Sequence, residues 1–500
     1  MSTLPFHRRF QGIGAVPRSL ILAAGAVLFG LACGRVAISH YGKPMIEVLI
    51  GAPILIAIFR RPFVACFVLL GVTATVFSYS VMPRVNLPGH PPINAADVLL
   101  FAGVGGTLWR RPWATWPPVV RAYFYALVIF LLLALISTVR ISLIDSTTAR
   151  TALYGYRNLL YLGLALTVAL ELSGKLWRPT LDAAIALAGL VALVSLAGAA
   201  SGALEGVLRH LTPNAVSAAS AVAAASGAAV GSTNRIREPG LLFVYAMWLP
   251  TLVMVLGVRD RRRPLRVAAL LLMLAAIGVG LNRSMYIGLP IGLLVMTVLG
   301  GARLRMRLGL VAVATALTVT LVVLTSVVPA FTAQVSRRAA TVLSPTQVLA
   351  SGSAQARADE FSHALSSISQ RPWDGVGWEQ NYGSYSGGAY RIGVENLYLD
   401  YATDFGIPAT LAFLAIPGLC LAFGLRRTQS AARSFDRAMV AAVIGSVVAV
   451  LLDALVGADL QDPDSSSIFA FTLGLLLAAG LRAKRAAQTR EPEPAELQPA

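Results

Sequence analysis

Apolar runs of about 20 residues recur from one end of the chain to the other, separated by short polar intervals. Each run is long enough to cross a hydrocarbon core of about 30 Å. Lipid offers no partner to exposed backbone groups, so such runs must be helices. The pattern predicts spans near 19–39, 44–59, 62–80, 95–109, 122–143, 153–172, 181–201, 239–258, 267–281, 284–300, 308–329, 396–424, 438–457 and 466–482. The expected fold class is an all-α polytopic membrane protein with about 14 transmembrane helices and a large external loop carrying short helices.

The longest polar interval shapes the division of the chain. Residues 1–329 read as a membrane helix bundle with short loops, 330–395 as the large external loop, 396–482 as C-terminal membrane helices, and 483–500 as a disordered cytoplasmic tail. Within the loop, Phe361, Leu365 and Ile368 share one helical stripe, which predicts a short helix over 353–369. Arg371-Pro372 should stop it. Gly375-Val376-Gly377 and Gly387-Gly388 permit tight turns, Glu395-Asn396 opens the next span, and Asp404-Phe405-Gly406-Ile407 follows a few turns on.

Composition agrees: 56% of residues are hydrophobic and 13% charged. The net charge of +18 does not indicate nucleic acid, because the basic residues fall in short clusters between apolar runs. Arg60-Arg61, Arg110-Arg111, Lys175 with Arg178, Arg259 to Arg266, Arg303 to Arg307, Arg426-Arg427 and Arg482 to Arg485 follow the positive-inside pattern. With a basic N-terminus inside, parity places both termini in the cytoplasm and the loops 81–94, 144–152, 202–238, 282–283, 330–395 and 458–465 outside. Cys33, Cys66 and Cys420 lie within predicted spans and form neither a disulfide framework nor a metal spacing. No phosphate-binding loop, HExxH or CxxC is present, so no metal and no cofactor is expected. Arg140 and Arg157 lie inside predicted spans, where a charge needs a partner; Asp145 or a neighbouring helix would supply one.

An arginine on a loop helix (Arg357), then Pro372-x-x-Gly375-x-Gly377, then Glu395-Asn396, then Asp404-x-Gly406-Ile407 resembles the O-antigen ligase and polymerase superfamily. These are bacterial membrane glycosyltransferases acting on lipid-linked glycans. The resemblance covers roughly residues 230–415. It departs from the ligases at Glu395-Asn396, where many members carry His-Asn, so a histidine base does not transfer to that position. It matches Arg237, by its spacing to Gly240, and Arg283, in the Asn282-Arg283-Ser284 turn, to arginines of the family.

The resemblance implies a metal-independent transfer with inversion at the anomeric carbon, from an undecaprenyl-diphosphate oligosaccharide to a glycan acceptor. Arg283 and Arg357, with Glu395, are the candidate catalytic residues. Guanidinium groups bind phosphate oxygens bidentately and stay charged, which suits a departing diphosphate. A partly desolvated carboxylate such as Glu395 suits a base for the acceptor hydroxyl, and the same residue would serve as an acidic helix opening. Arg235, Arg237, Asn396, Trp373, Trp378, Tyr382 and His363 are candidate substrate contacts, with His363 the alternative base. Interface arginines and aromatic residues also anchor helices at lipid head groups, so these residues fit a purely structural account too.

The expected function is a polymerase of surface polysaccharide in the bacterial inner membrane, with its site on the periplasmic or external face. Its partners would be the lipid-linked donor, the acceptor, membrane lipid and other polysaccharide-assembly proteins. A ligase of the finished glycan is the alternative; a flippase or a non-enzymatic assembly component would fit a chain whose loop arginines are dispensable.

Overall fold

The computed structural model describes residues 59–73, 84–85, 93–144, 146–172, 174, 176–200, 240–279, 283–301, 352–377, 396–431, 433–455 and 463–489. The helices are α1 (Pro62–Thr73), α2 (Ala95–Arg110), α3 (Pro118–Ile144), α4 (Ser146–Leu159), α5 (Leu164–Leu172), α6 (Trp177–Ala200) and α7 (Leu241–Gly257). They continue as α8 (Arg263–Val279), α9 (Arg283–Leu299), α10 (Gly352–Gln370), α11 (Leu397–Phe405), α12 (Ile407–Ser430), α13 (Ser434–Asp453) and α14 (Pro463–Thr489). Two-residue strands β1 (Arg84–Val85) and β2 (Ile93–Asn94) pair antiparallel just before α2. The chain divides into two units at Arg60, and all these elements belong to the second.

Among the described residues, five helical stretches are long and apolar enough to cross a membrane: Pro118–Leu143, Trp177–Leu196, Ile407–Ser430, Ser434–Asp453 and Asp464–Gln488. In α3 the division of faces is plain: Tyr123, Phe130, Ala134 and Ser137 are buried, while Tyr125, Ile129, Leu132, Ile136 and Leu143 are exposed. An exposed stripe that is wholly apolar, on a helix of this length, fits hydrocarbon rather than water. By contrast α14 is buried almost throughout its apolar length and forms the middle of the bundle. α9 and α13 meet backbone to backbone: a Cβ on Gly292 would lie 2.8 Å from the Gly445 carbonyl oxygen, and one on Gly445 2.4 Å from that of Gly292. Small residues at such crossings let helices approach in lipid, where no hydrophobic drive joins them.

Several boundaries differ from the sequence expectation. The stretch expected as one span over 396–424 is two helices, because Gly406 takes φ +85° and ends α11 before α12 begins. Residues 153–172 are likewise broken by a 3-10 turn at Leu160–Gly163 between α4 and α5. α14 continues to Thr489, past the expected onset of a disordered tail at 483. The spans expected at 19–39 and 308–329, and most of the span at 44–59, lie outside the described residues.

Helix pairing sorts the polar residues to two ends. At one, Arg111 meets Glu171 at 3.5 Å, Arg266 meets Asp182 at 2.9 Å and Arg482 meets Asp436 at 3.2 Å. Arg437 also donates to the Leu299 carbonyl at 3.0 Å there. At the other end the last turn of α13 meets the first turns of α9 and α11, and Ser137 of α3 meets the last turn of α11.

Candidate functional site

α10 reproduces the expected loop helix and stops at Gln370, before Pro372. Of the stripe, Phe361 and Leu365 are exposed and Ile368 is half-buried, while Ala364 is the buried residue among 361–370. A small side chain there lets the helix lie close against α11. The turn after α10 then docks on the junction of α11 and α12. The Val376 amide donates to the Thr403 carbonyl at 2.7 Å, Gly377 to Asp404 at 3.0 Å, and Ile407 to Pro372 at 2.8 Å. Gly375 takes φ +65°, and a Cβ there would sit 2.4 Å from the Asp404 carbonyl oxygen; one on Gly406 would sit 2.6 Å from the Trp373 carbonyl carbon. The two glycine motifs of the sequence are thus two halves of one backbone joint.

α3 closes that joint from a third side. Ser137 donates to the Asp404 carbonyl at 2.8 Å. Arg140 pairs with Asp374 at 2.6 Å and donates to the Gly375 carbonyl at 2.5 Å. The partner of Arg140 is therefore Asp374 in the turn after α10; Asp145, the partner weighed from the sequence, lies outside the described residues. Arg157 finds the neighbouring helix instead: it pairs at 3.2 Å with the buried Asp97, which also accepts from Tyr161 at 2.9 Å.

α11 is nine residues long and cannot hold itself in place by length. Its Tyr401 and Phe405 are buried among aromatic rings, with Tyr401 4.8 Å from Phe413 of α12 and 5.9 Å from Phe130 of α3, centroid to centroid. Asn396 caps its start, accepting from the Tyr398 and Leu399 amides at 3.0 and 3.1 Å. The Asn396 side chain also donates to the Leu455 carbonyl at 3.1 Å, and the Leu397 amide donates to Ala454 at 3.0 Å. Ser284, next to Arg283 at the start of α9, donates to the carboxylate of Asp453, the last residue of α13. The turn after Arg283 and the residue after Glu395 therefore converge on the same end of α13. The three acids Asp400, Asp404 and Asp453 are all buried around this region.

Of the residues singled out in the sequence, Arg283 is the first residue of α9 and Arg357 lies within α10; the side chains of both lie outside the described part. Glu395, Arg235, Arg237, Trp378 and Tyr382 lie outside the described residues altogether. His363 occupies an exposed position on α10, and Trp373 is 76% exposed on the docked turn. Sequence reasoning passed over Ser137 and Asp453, and named Ser284 only as part of the Arg283 turn. Asp453 carried a usable signal, since it is an acid inside a predicted span. Among the described residues no three His, Cys, Asp or Glu side chains gather as a metal ligand set.

No curated protein matches the chain. Residues 268–414, from α8 through the first turns of α12, match the family model described as O-Antigen ligase. They contain both glycine motifs of the joint, the helix carrying Arg357, and Arg283, Ser284 and Asn396, but not the end of α13 on which Ser284 and Asn396 converge. The chain carries a domain of the O-antigen ligase/polymerase superfamily.

Proposed function

We propose that the protein polymerises oligosaccharide units carried on undecaprenyl diphosphate. The observation that carries the reading is the meeting of the Arg283-Ser284 turn and Asn396 on the last residues of α13, with the Arg357 helix packed against α11. In the proposed reaction, a hydroxyl of the acceptor glycan attacks the anomeric carbon of the donor and gives its proton to Glu395. The bond from that carbon to the phosphate oxygen breaks, with inversion, and the diphosphate leaves with the electron pair. Arg237, Arg283 and Arg357 stabilise the charge that builds on it, a role that here needs no metal. Arg235, Trp373, Trp378 and Tyr382 line the path of lipid head group and sugars, with His363 as the second choice of base. Asn396 spends its oxygen on the cap and one N–H on the Leu455 carbonyl, which leaves its second N–H for a sugar hydroxyl.

The basic clusters gather at the opposite end of the bundle, which supports a cytoplasmic placement of that end and an external placement of the site. An inner-membrane location follows from the same reading. The match to an O-Antigen ligase model favours a second reading, transfer of a finished glycan to its anchor. Surface glycan length, read on gels from a deletion strain complemented with wild type or Arg357→Ala at matched membrane levels, separates the two. Single units left on the carrier in the mutant support the polymerase. Long chains left on the carrier support the ligase. A mutant that behaves as wild type overturns the arginine site and both readings with it.

A further inference from the structure

We propose that Arg140 is a positioning residue for the transfer: it clips the external turn to α3 and so fixes the helix that carries Arg357. The inference rests on the functional reading above for the word transfer, and on geometry alone for the clip. Among the described side chains of α10, those of residues 361–370, Ala364 is the one buried residue, so this part of the helix has little apolar anchoring of its own. What holds its C-terminal end is the polar joint that follows it. Arg140 reaches that joint with two separate nitrogens, one on the Asp374 carboxylate and one on the Gly375 carbonyl. Asp374 and Gly375 lie between the Pro372 carbonyl, which accepts from Ile407, and the Val376 and Gly377 amides, which donate to α11. The turn is thereby pinned from α3 as well as from α11 and α12.

Arg140 lies outside residues 268–414, so the part of the chain that matches the family is steadied by a side chain from outside it. A guanidinium fits this task because its fork can serve a carboxylate and a carbonyl at once, whereas an ammonium is a point charge. A binding constellation held loosely by about an ångström loses up to a hundredfold in rate.

The test uses the full chain in proteoliposomes with a lipid-diphosphate oligosaccharide as donor, in a background with Cys33, Cys66 and Cys420 replaced. Spin labels at Ile129→Cys on α3 and Leu365→Cys on α10, both exposed positions, report the distance between the two helices. Arg140→Ala should broaden that distance distribution and lower transfer per folded molecule at saturating donor about ten- to a hundredfold. Arg140→Lys should fall between, and the double exchange Arg140→Asp with Asp374→Arg should narrow the distribution again and recover part of the rate. Unchanged distances overturn the clip, whether or not the rate falls, because a rate loss at fixed geometry would make Arg140 a substrate contact. Broadened distances with an unchanged rate overturn its role in positioning. If wild type transfers nothing, the functional reading fails, while the distances still report the clip on their own.

Discussion

The Ser284 hydroxyl donates to the Asp453 carboxylate and ties the first turn of α9 to the last residue of α13. Both groups are buried, so the hydroxyl cannot be removed without cost. Ser284→Ala should lower stability by about 1–3 kcal/mol, the penalty for depriving a buried acceptor of a bond. Glycan transfer should fall further than the loss of folded protein explains, because Arg283 adjoins the broken contact. Thermal unfolding in detergent alongside transfer per folded molecule checks both; a variant matching wild type in each would remove the contact from the account.

Gly406→Ala and Gly375→Ala should each destabilise the backbone joint by about 1–3 kcal/mol, since both combine positive φ with contact closer than a Cβ tolerates. Gly418→Ala in α12 is the control, because a Cβ there meets nothing within 4 Å. If the joint matters as described, the first two lose transfer and the third does not.

Asn396→Ala removes a helix cap and should cost about 1 kcal/mol. Asn396→Asp keeps the accepting oxygen and loses the donor to Leu455, so its stability should lie between alanine and wild type. An aspartate variant no more stable than alanine would show that the bond to Leu455, rather than the cap, is what fixes α11.

The sequence made the helical architecture plain wherever apolar runs were long, and the loop helix 353–369 was placed nearly to the residue because Pro372 ends it. It did not show the break inside 396–424. Gly406 sits in an apolar run that reads as continuous, and only the docking of Trp373 and Asp374 against it demands a positive φ. The partner of Arg140 was hidden for a related reason: Asp374 lies 234 residues away along the chain and one turn beyond a helix, so no periodicity links them. Asp453 looked like the polar margin of a span, and its contact with Ser284 depends on how α9 and α13 cross at Gly292 and Gly445.

Arg157→Leu should be among the most damaging single changes at the site end. It removes the Arg157 guanidinium from Asp97, which is 2% exposed, and taking away one member of a buried pair costs about 3–5 kcal/mol. The double variant Arg157→Leu with Asp97→Asn removes the remaining charge and should recover membrane levels, as read by fluorescence-detected chromatography. Equal loss in the single and double variants would contradict a charge-pair role.

At the basic end, burial pushes the Asp260 carboxyl up, but hydrogen bonding and charge from Arg266 outweigh it and hold the group below its ordinary value. A carboxylate lowered by folding adds stability above its unfolded pKa, and that stability is lost as pH falls through the folded value. Wild type should therefore lose Tm as the medium is acidified below about pH 4. Asp260→Asn should start lower at neutral pH and lose less on acidification. The difference is within about 1 kcal/mol, as suits a pair near the surface.

The polypeptide leaves the joint at Gly377, bonded to Asp404, and returns at Asn396, bonded to Leu455, so residues 378–395 begin and end on fixed points. Doubling the length between two fixed points costs only about 0.6 kcal/mol in closure entropy. Lengthening that interval therefore adds little closure cost for the scaffold. On the proposed function, changes of sequence and length there would alter which sugars are admitted without changing the helices beneath.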